Sequence, residues 1–152
     1  MDIHNKIDAQ LPAPSQLSDV FSLAHLQPQR MPSTSPVALA YIGDAVFELY
    51  VRMRFLWPAQ RIQRFHQQVV SQVKAEQQAD YLGQLMPYLT DAEADIVRRG
   101  RNATSRAPKR LSAKIYRQAT AFETLVGYLY ITNQSRLGEL LNRLKIAPAV
   151  EA

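Results

Sequence analysis

The stretch from Val37 to Leu56 repeats apolar side chains at helical spacing on two stripes at once. Leu39, Ile42, Val46, Leu49, Met53 and Leu56 make one. Val37, Tyr41, Val51 and Phe55, with Asp44 and Glu48 at the same spacing between them, make the other. A helix apolar along two stripes is buried on most of its circumference, so the pattern predicts a central helix wrapped by others. Both ends are marked. Ser33, Thr34 and Ser35 precede Pro36, which suits a first helical position, and Trp57-Pro58 stops the helix at about Leu56.

The rest of the chain must supply the wrapping, and its periodicity is helical too. A second helical region covers roughly 60–86, with room for one break. Phe65, Val69 and Val73 form its first stripe, Leu82, Leu85 and Met86 follow, and Pro87 closes it. Thr90 with Glu93 three residues on is a capping box, which predicts a helix over 90–100 ending at Gly100. After a loop through Pro108, Ser112 caps a helix that runs to about Ile131. Ile115, Ala119, Phe122, Val126 and Leu129 form its core stripe. Asn133 or Ser135 caps a last helix, with Leu137, Leu140, Leu141 and Leu144 facing inward. No strand pattern occurs. The expected fold is all-α, with five to six or more helices.

Length bounds the organisation: 152 residues make one domain. Residues 1–36 hold five of the nine prolines and few apolar side chains, and read as a flexible N-terminal arm with one short helical turn. The helical domain is then 37–146, with a tail at 147–152. The absence of cysteine excludes a disulfide scaffold, a cysteine nucleophile and thiolate-ligated metal. No apolar run reaches membrane-spanning length, and the N-terminus has the layout of neither a signal nor a transit peptide. The expected compartment is the cytoplasm.

Charge is unevenly spread. From Arg98 to Arg117 the chain carries eight bases (Arg98, Arg99, Arg101, Arg106, Lys109, Arg110, Lys114 and Arg117) and no acid, while the whole chain is only +5. The positive charge is thus a local device, which reads as an anion or nucleic-acid surface or, more blandly, a solvated basic loop.

Three carboxylates sit where apolar packing is expected. From Val37 to Val51 the only ionisable carboxylates are Asp44 and Glu48, one turn apart and without a base. From Gln118 to Ile131 Glu123 is the only charge. A carboxylate inside an apolar helix is costly unless paired or metal-bound. Gly43 precedes Asp44 and Gly127 lies one turn after Glu123. Glycines permit close helix–helix approach, so the two helices are expected to cross there and bring Asp44 and Glu123 together. Converging carboxylates without cysteine or clustered histidine suit a hard cation, Mg²⁺ or Mn²⁺, which activates water and neutralises charge on a phosphodiester. Alternatively, Asp44 and Glu123 bond to Arg, Tyr or backbone groups in the core. His4, His25 and His66 are too scattered to be a ligand set, and no Ser/His/Asp order or glycine-rich phosphate loop appears.

The run Ala40-Tyr41-Ile42-Gly43-Asp44-Ala45-Val46 resembles the ribonuclease III signature. The run Ala119-Thr120-Ala121-Phe122-Glu123-Thr124-Leu125-Val126-Gly127-Tyr128 resembles that family's second acidic helix. Between them, Arg98-Arg99-Gly100-Arg101-Asn102-Ala103 and Pro108-Lys109 are similar to the small variant, Mini-ribonuclease III. Order and spacing carry the resemblance, over about residues 37–145. It implies a homodimer of all-α catalytic domains that cleaves double-stranded RNA with Mg²⁺, without a separate double-stranded-RNA-binding domain. Asp44 and Glu123 would be the catalytic metal ligands. Arg98, Arg99, Arg101, Asn102, Lys109, Arg110 and Lys114 would contact RNA phosphates and 2′-hydroxyls. The Mini type is associated with maturation of the large-subunit (23S) ribosomal RNA precursor, which makes a ribosomal protein a candidate partner.

Two acids of the full-length enzymes are missing: Ala40 stands where a glutamate precedes the aspartate by one turn, and Thr120 where an aspartate precedes the glutamate by three residues. Both losses are usual in the Mini type. The expectation is one well-defined Mg²⁺ per subunit, with Glu48 as a supporting partner and Glu76 as a further carboxylate. The hydrophobic residues around Phe47, Leu49 and Tyr50, or Leu56-Trp57, are candidates for the dimer contact. Two other readings stand: a catalytically silent domain that binds structured RNA, and a helical module whose basic block binds an acidic protein.

Overall fold

Ser35 begins the first helix: its hydroxyl accepts the Ala38 amide at 3.1 Å, and Pro36 takes the first helical position. The computed structural model describes residues 28–103 and 106–146. They form six α-helices: α1 Pro36–Phe55, α2 Ile62–Val73, α3 Ala75–Leu85, α4 Asp91–Asn102, α5 Ala113–Thr132 and α6 Gln134–Leu141. Short 3-10 turns cover Pro28–Ser33 and Met86–Tyr88, and no strand occurs among the described residues. The chain divides into two units between Ser33 and Thr34. Most of the expected N-terminal arm, and the expected tail, lie outside the described residues. Within the first 3-10 turn the Ser33 hydroxyl donates to the Arg30 carbonyl at 2.9 Å.

The two long helices α1 and α5 pack on each other, and α3 and α4 pack on α5. The α1–α5 contact is set by glycine. A Cβ on Gly43 would run into the Glu123 carbonyl and stand 2.8 Å from the Gly127 nitrogen. A Cβ on Gly127 would run into the Leu39 carbonyl and stand 3.0 Å from the Gly43 nitrogen. The backbones therefore touch where side chains would normally hold helices 8–10 Å apart.

Below this crossing Phe47 sits at the centre of the core. Its ring meets Phe122 edge-on at 4.9 Å, Tyr81 edge-on at 5.8 Å and Tyr50 at 6.3 Å. Val51, Leu82, Leu85, Val97, Leu125, Val126 and Leu140 are among the residues packed around it. Such aromatic edge contacts add to the burial energy of the rings.

The expectation of an α1 buried on most of its circumference is corrected. The buried residues are Leu39, Ala40, Gly43, Phe47, Val51 and Phe55. Tyr41 is 82%, Leu49 60% and Met53 64% exposed, and Val37, Ile42 and Leu56 are exposed too. The covered face lies between the two apolar stripes, because the glycine contact sets the rotation of the helix and α5 covers only the side that carries Gly43. Phe47 is core, whereas Leu49, Leu56 and Trp57 are surface.

The break expected within 60–86 is at Lys74, whose extended backbone (φ −66°, ψ 154°) separates α2 from α3. Met86 is exposed, not core. The Thr90 capping box is complete: Glu93 accepts the Thr90 amide at 2.9 Å and Thr90 accepts the Glu93 amide at 3.2 Å. Gly100 does not end α4, which continues to Asn102. It is instead a packing position: a Cβ there would lie 2.5 Å from the Thr124 hydroxyl and 3.1 Å from the Ala121 Cα on α5. Asn133, not Ser135, caps α6, its side chain accepting the Arg136 amide at 3.0 Å. Arg136 then reaches back, donating to Glu93 at 2.8 and 3.1 Å and to the Tyr88 carbonyl at 2.7 Å. This pair holds Glu93 below the usual carboxylate range and fastens α6 to the start of α4. Glu93 is thus structural.

Candidate active site

Asp44 follows the Gly43 contact on α1, and the Glu123 carbonyl is the atom that Gly43 abuts. The crossing therefore brings the two side chains into hydrogen-bond contact. Glu123 is half-buried between α5, α1 and α3, and burial pushes its carboxyl up to about 7, with the charge of Asp44 adding to the rise. Asp44 keeps an outer edge in solvent. Its carboxyl is also raised, by partial burial and by Glu48 one turn on, while the hydrogen bond from Glu123 lowers it. Both carboxyls are thus harder to ionise than free acids, and the pair holds a proton more readily than two separate carboxylates would.

Gln78 of α3, only 1% exposed, completes the cluster by hydrogen-bonding the Glu123 side chain. The bond lowers the pKa of the acid, so it is the Gln78 amide that donates to the carboxylate. Sequence reasoning missed Gln78 because an uncharged amide draws no attention in a helix rich in glutamine. The available signal was its spacing: Gln78, Leu82 and Leu85 fall on one inward stripe.

The donor set fits a hard divalent cation. Two carboxylates touch, and among the described residues neither forms an ion pair with Lys or Arg. Such a site is short of positive charge. No group of three or more His, Cys, Asp or Glu side chains converges among the described residues. Glu48 pairs with Arg52 at 3.1 Å and reaches Asp44 only through its charge. Glu76 is exposed in the first turn of α3. Two carboxylates with open space outside them match Mg²⁺, which keeps several waters and takes other oxygens from phosphates. Ala40 and Thr120, at the positions of the missing acids, are 5% and 7% exposed.

The basic residues lie on the end of α4, in the turn before α5 and in the first turn of α5, the helix that carries Glu123. Gly100 seats the C-terminal part of α4 against Thr124, the neighbour of Glu123. Arg98 and Asn102 are exposed there, Arg99 and Arg101 half-buried, and Lys109, Arg110 and Lys114 exposed in the turn before α5 and its first turn. Arg98 bonds Asp95 at 2.6 Å, an exposed pair that leaves its guanidinium available to a stronger anion.

The Ribonuclease III domain model matches residues 37–134. The chain is 53% identical over 128 residues to Mini-ribonuclease 3 of Thermosynechococcus vestitus, covering 83% of this chain and 85% of that protein. It is 54% identical over 117 residues to Mini-ribonuclease 3 of Synechocystis, covering 77% and 82%. A crystal structure of a protein from Fusobacterium nucleatum superposes with a TM-score of 0.69 at 25% identity, covering 74% of this chain and 93% of that one. No described helix is long and apolar enough to cross a membrane. With the glycine-set crossing, the paired carboxylates and the basic flank in its expected order, the chain belongs to the ribonuclease III family of endoribonucleases, in its Mini-ribonuclease 3 group.

Proposed function

We propose that this protein is a Mg²⁺-dependent endoribonuclease that cleaves double-stranded RNA, acting in the cytoplasm as a homodimer of catalytic units spanning residues 37–146. Its task is maturation of the large-subunit (23S) ribosomal RNA precursor, where a ribosomal protein is a candidate partner. The observation that carries the reading is the contact between Asp44 and the half-buried Glu123, two acids that form no ion pair with Lys or Arg among the described residues. The names of the relatives, Mini-ribonuclease 3, support its ribonuclease part.

Asp44 and Glu123 would hold the ion. When bound, it would neutralise charge on the phosphodiester and make water a better nucleophile at neutral pH. Asp44, on the solvent side, offers carboxylate oxygens toward the substrate. Glu123 must give up its proton before it can serve as a ligand, which ties activity to pH near 7. Arg98, Arg99, Arg101, Asn102, Lys109, Arg110 and Lys114 would bind the phosphates and 2′-hydroxyls of the duplex, reading its shape rather than its sequence.

The dimer would form through the outer face of α1. Tyr41, Leu49, Met53 and Leu56 leave there a row of apolar side chains that no part of the described chain covers. A face of this kind on a soluble domain marks an association site. Burying it would set two carboxylate pairs on one assembly, one for each strand of the duplex.

The test is incubation of the purified protein with a labelled RNA duplex, with Mg²⁺ and with EDTA, beside Asp44→Asn. The expected result is cuts in both strands that need Mg²⁺ and vanish in the variant. Binding without cleavage, equal in wild type and variant, would replace this reading with that of a silent RNA-binding domain.

A further inference from the structure

The cluster contains one polar group that the proposed chemistry has not used. Gln78 lies on α3, 1% exposed, against the same α5 that carries Glu123. A buried amide needs partners, and a buried Gln left without them would cost about 1–3 kcal/mol. Its partner here is the Glu123 carboxyl. Amide and acid belong to different helices, which pack on each other. α3 is held by Tyr81, Leu82 and Leu85 in the core, with the Tyr81 hydroxyl donating to Gln72 of α2. α5 is held by the glycine contact with α1.

We propose that Gln78 is the positioning residue of the metal site. Its amide holds the Glu123 carboxylate in one rotamer, turned toward Asp44, so that the two ligands are spaced for a divalent cation before it arrives. This rests on the reading of Asp44 and Glu123 as ligands.

Several features support a neutral amide in this role. Glutamate has three rotatable bonds, and a carboxylate free to turn loses entropy when it binds an ion. A donor from a neighbouring helix removes that freedom in advance. A Lys or Arg would fix the carboxylate as well, but it would neutralise the site and compete with the cation. The amide offers a dipole without a net charge, so the attraction for a cation is kept. It also donates, which supports the ionised carboxylate that a metal requires. Partners that orient metal ligands in this way typically change metal affinity by about 10–100-fold when removed. With Ala40 and Thr120 in place of further acids, no third carboxylate joins the pair among the described residues. The orientation of each then counts for more.

The experiment is Mn²⁺ binding to the RNA-free protein, by calorimetry or by the electron paramagnetic resonance of free Mn²⁺, in wild type, Gln78→Met and Gln78→Glu. Met keeps the length of the side chain without the donor. It is expected to retain the melting temperature within a few degrees, to weaken Mn²⁺ binding at least tenfold, and to raise the Mg²⁺ needed for half-maximal cleavage while KM for RNA stays put. Gln78→Glu adds a carboxylate and is expected to shift the pH dependence of Mn²⁺ binding upward. A Gln78→Met protein that folds and binds Mn²⁺ as wild type does would overturn the proposal. If Gln78→Met fails to fold, NMR of the wild type decides. The Gln78 side-chain amide should shift on Mg²⁺ addition and lose that response in Glu123→Gln. An amide indifferent to Mg²⁺, beside an Asp44 backbone signal that responds, would overturn it equally. Wild type that binds no Mn²⁺ would instead remove the ligand assignment on which the proposal stands.

Discussion

Gly43 and Gly127 face each other across the α1–α5 crossing, and a Cβ on either would run into a carbonyl of the facing helix, that of Glu123 or of Leu39. Gly43→Ala is therefore expected to push the helices apart and to destabilise the fold by about 3 kcal/mol, at the upper end for overpacked positions. Gly83→Ala is the control. Nothing lies within 4 Å of a Cβ there, so the helix gains about 1 kcal/mol of propensity. Thermal unfolding of both variants checks the pair, and equal effects would remove the crossing from the account.

Asp44→Asn should lower cleavage by at least about 100-fold, because a metal ligand supplies several kcal/mol to the transition state. The fold should survive, since the change relieves repulsion with Glu48 and Glu123. Activity above a few per cent with normal Mg²⁺ dependence would withdraw the assignment.

The raised Glu123 carboxyl has a sign consequence for stability. Its pKa is higher folded, at about 7, than the ordinary 4.5. Between these values the unfolded chain holds fewer protons, so stability falls as pH rises through that window. Without metal the melting temperature should drop between pH 5 and pH 8. Mg²⁺ should restore it at pH 8 and do little at pH 5, where the proton occupies the ligand. Glu123→Gln should flatten both trends.

The basic flank predicts a salt effect. Each phosphate contact removed should reduce the slope of log K against log salt by about one. Arg99→Ala with Arg101→Ala should thus flatten the slope for any duplex sequence. An unchanged slope would mean that this part of α4 does not meet the RNA.

The apolar row on α1 separates association from folding. Leu49→Glu, at a surface position, should give a folded monomer by light scattering. Phe47→Ala, two residues away in the core, should cost about 4 kcal/mol of stability instead. A dimeric Leu49→Glu protein would direct the search to another face.

Much of this was legible in the sequence. Ser35, Thr90 and Ser112 marked helix starts because capping is local chemistry. The pairing of Asp44 with Glu123 could be read from two glycines placed beside two acids. The rotation of α1 could not. Its surface row is as apolar as its buried row, and periodicity cannot distinguish core from a face left for a partner. Gly100 was misread for a related reason: glycine at the end of a helix pattern looks the same whether it stops the helix or admits a neighbour. The spacing of Gln78 puts it on an inward stripe, but its partner depends on the position of another helix.

Backbone contact at the crossing also limits how this site can vary. The spacing of the two acids is fixed by main-chain atoms, which no exchange of side chains can loosen by degrees. Changes of metal preference or pH optimum must then arise around the carboxyl groups, while the scaffold that carries them either keeps its gauge or fails altogether.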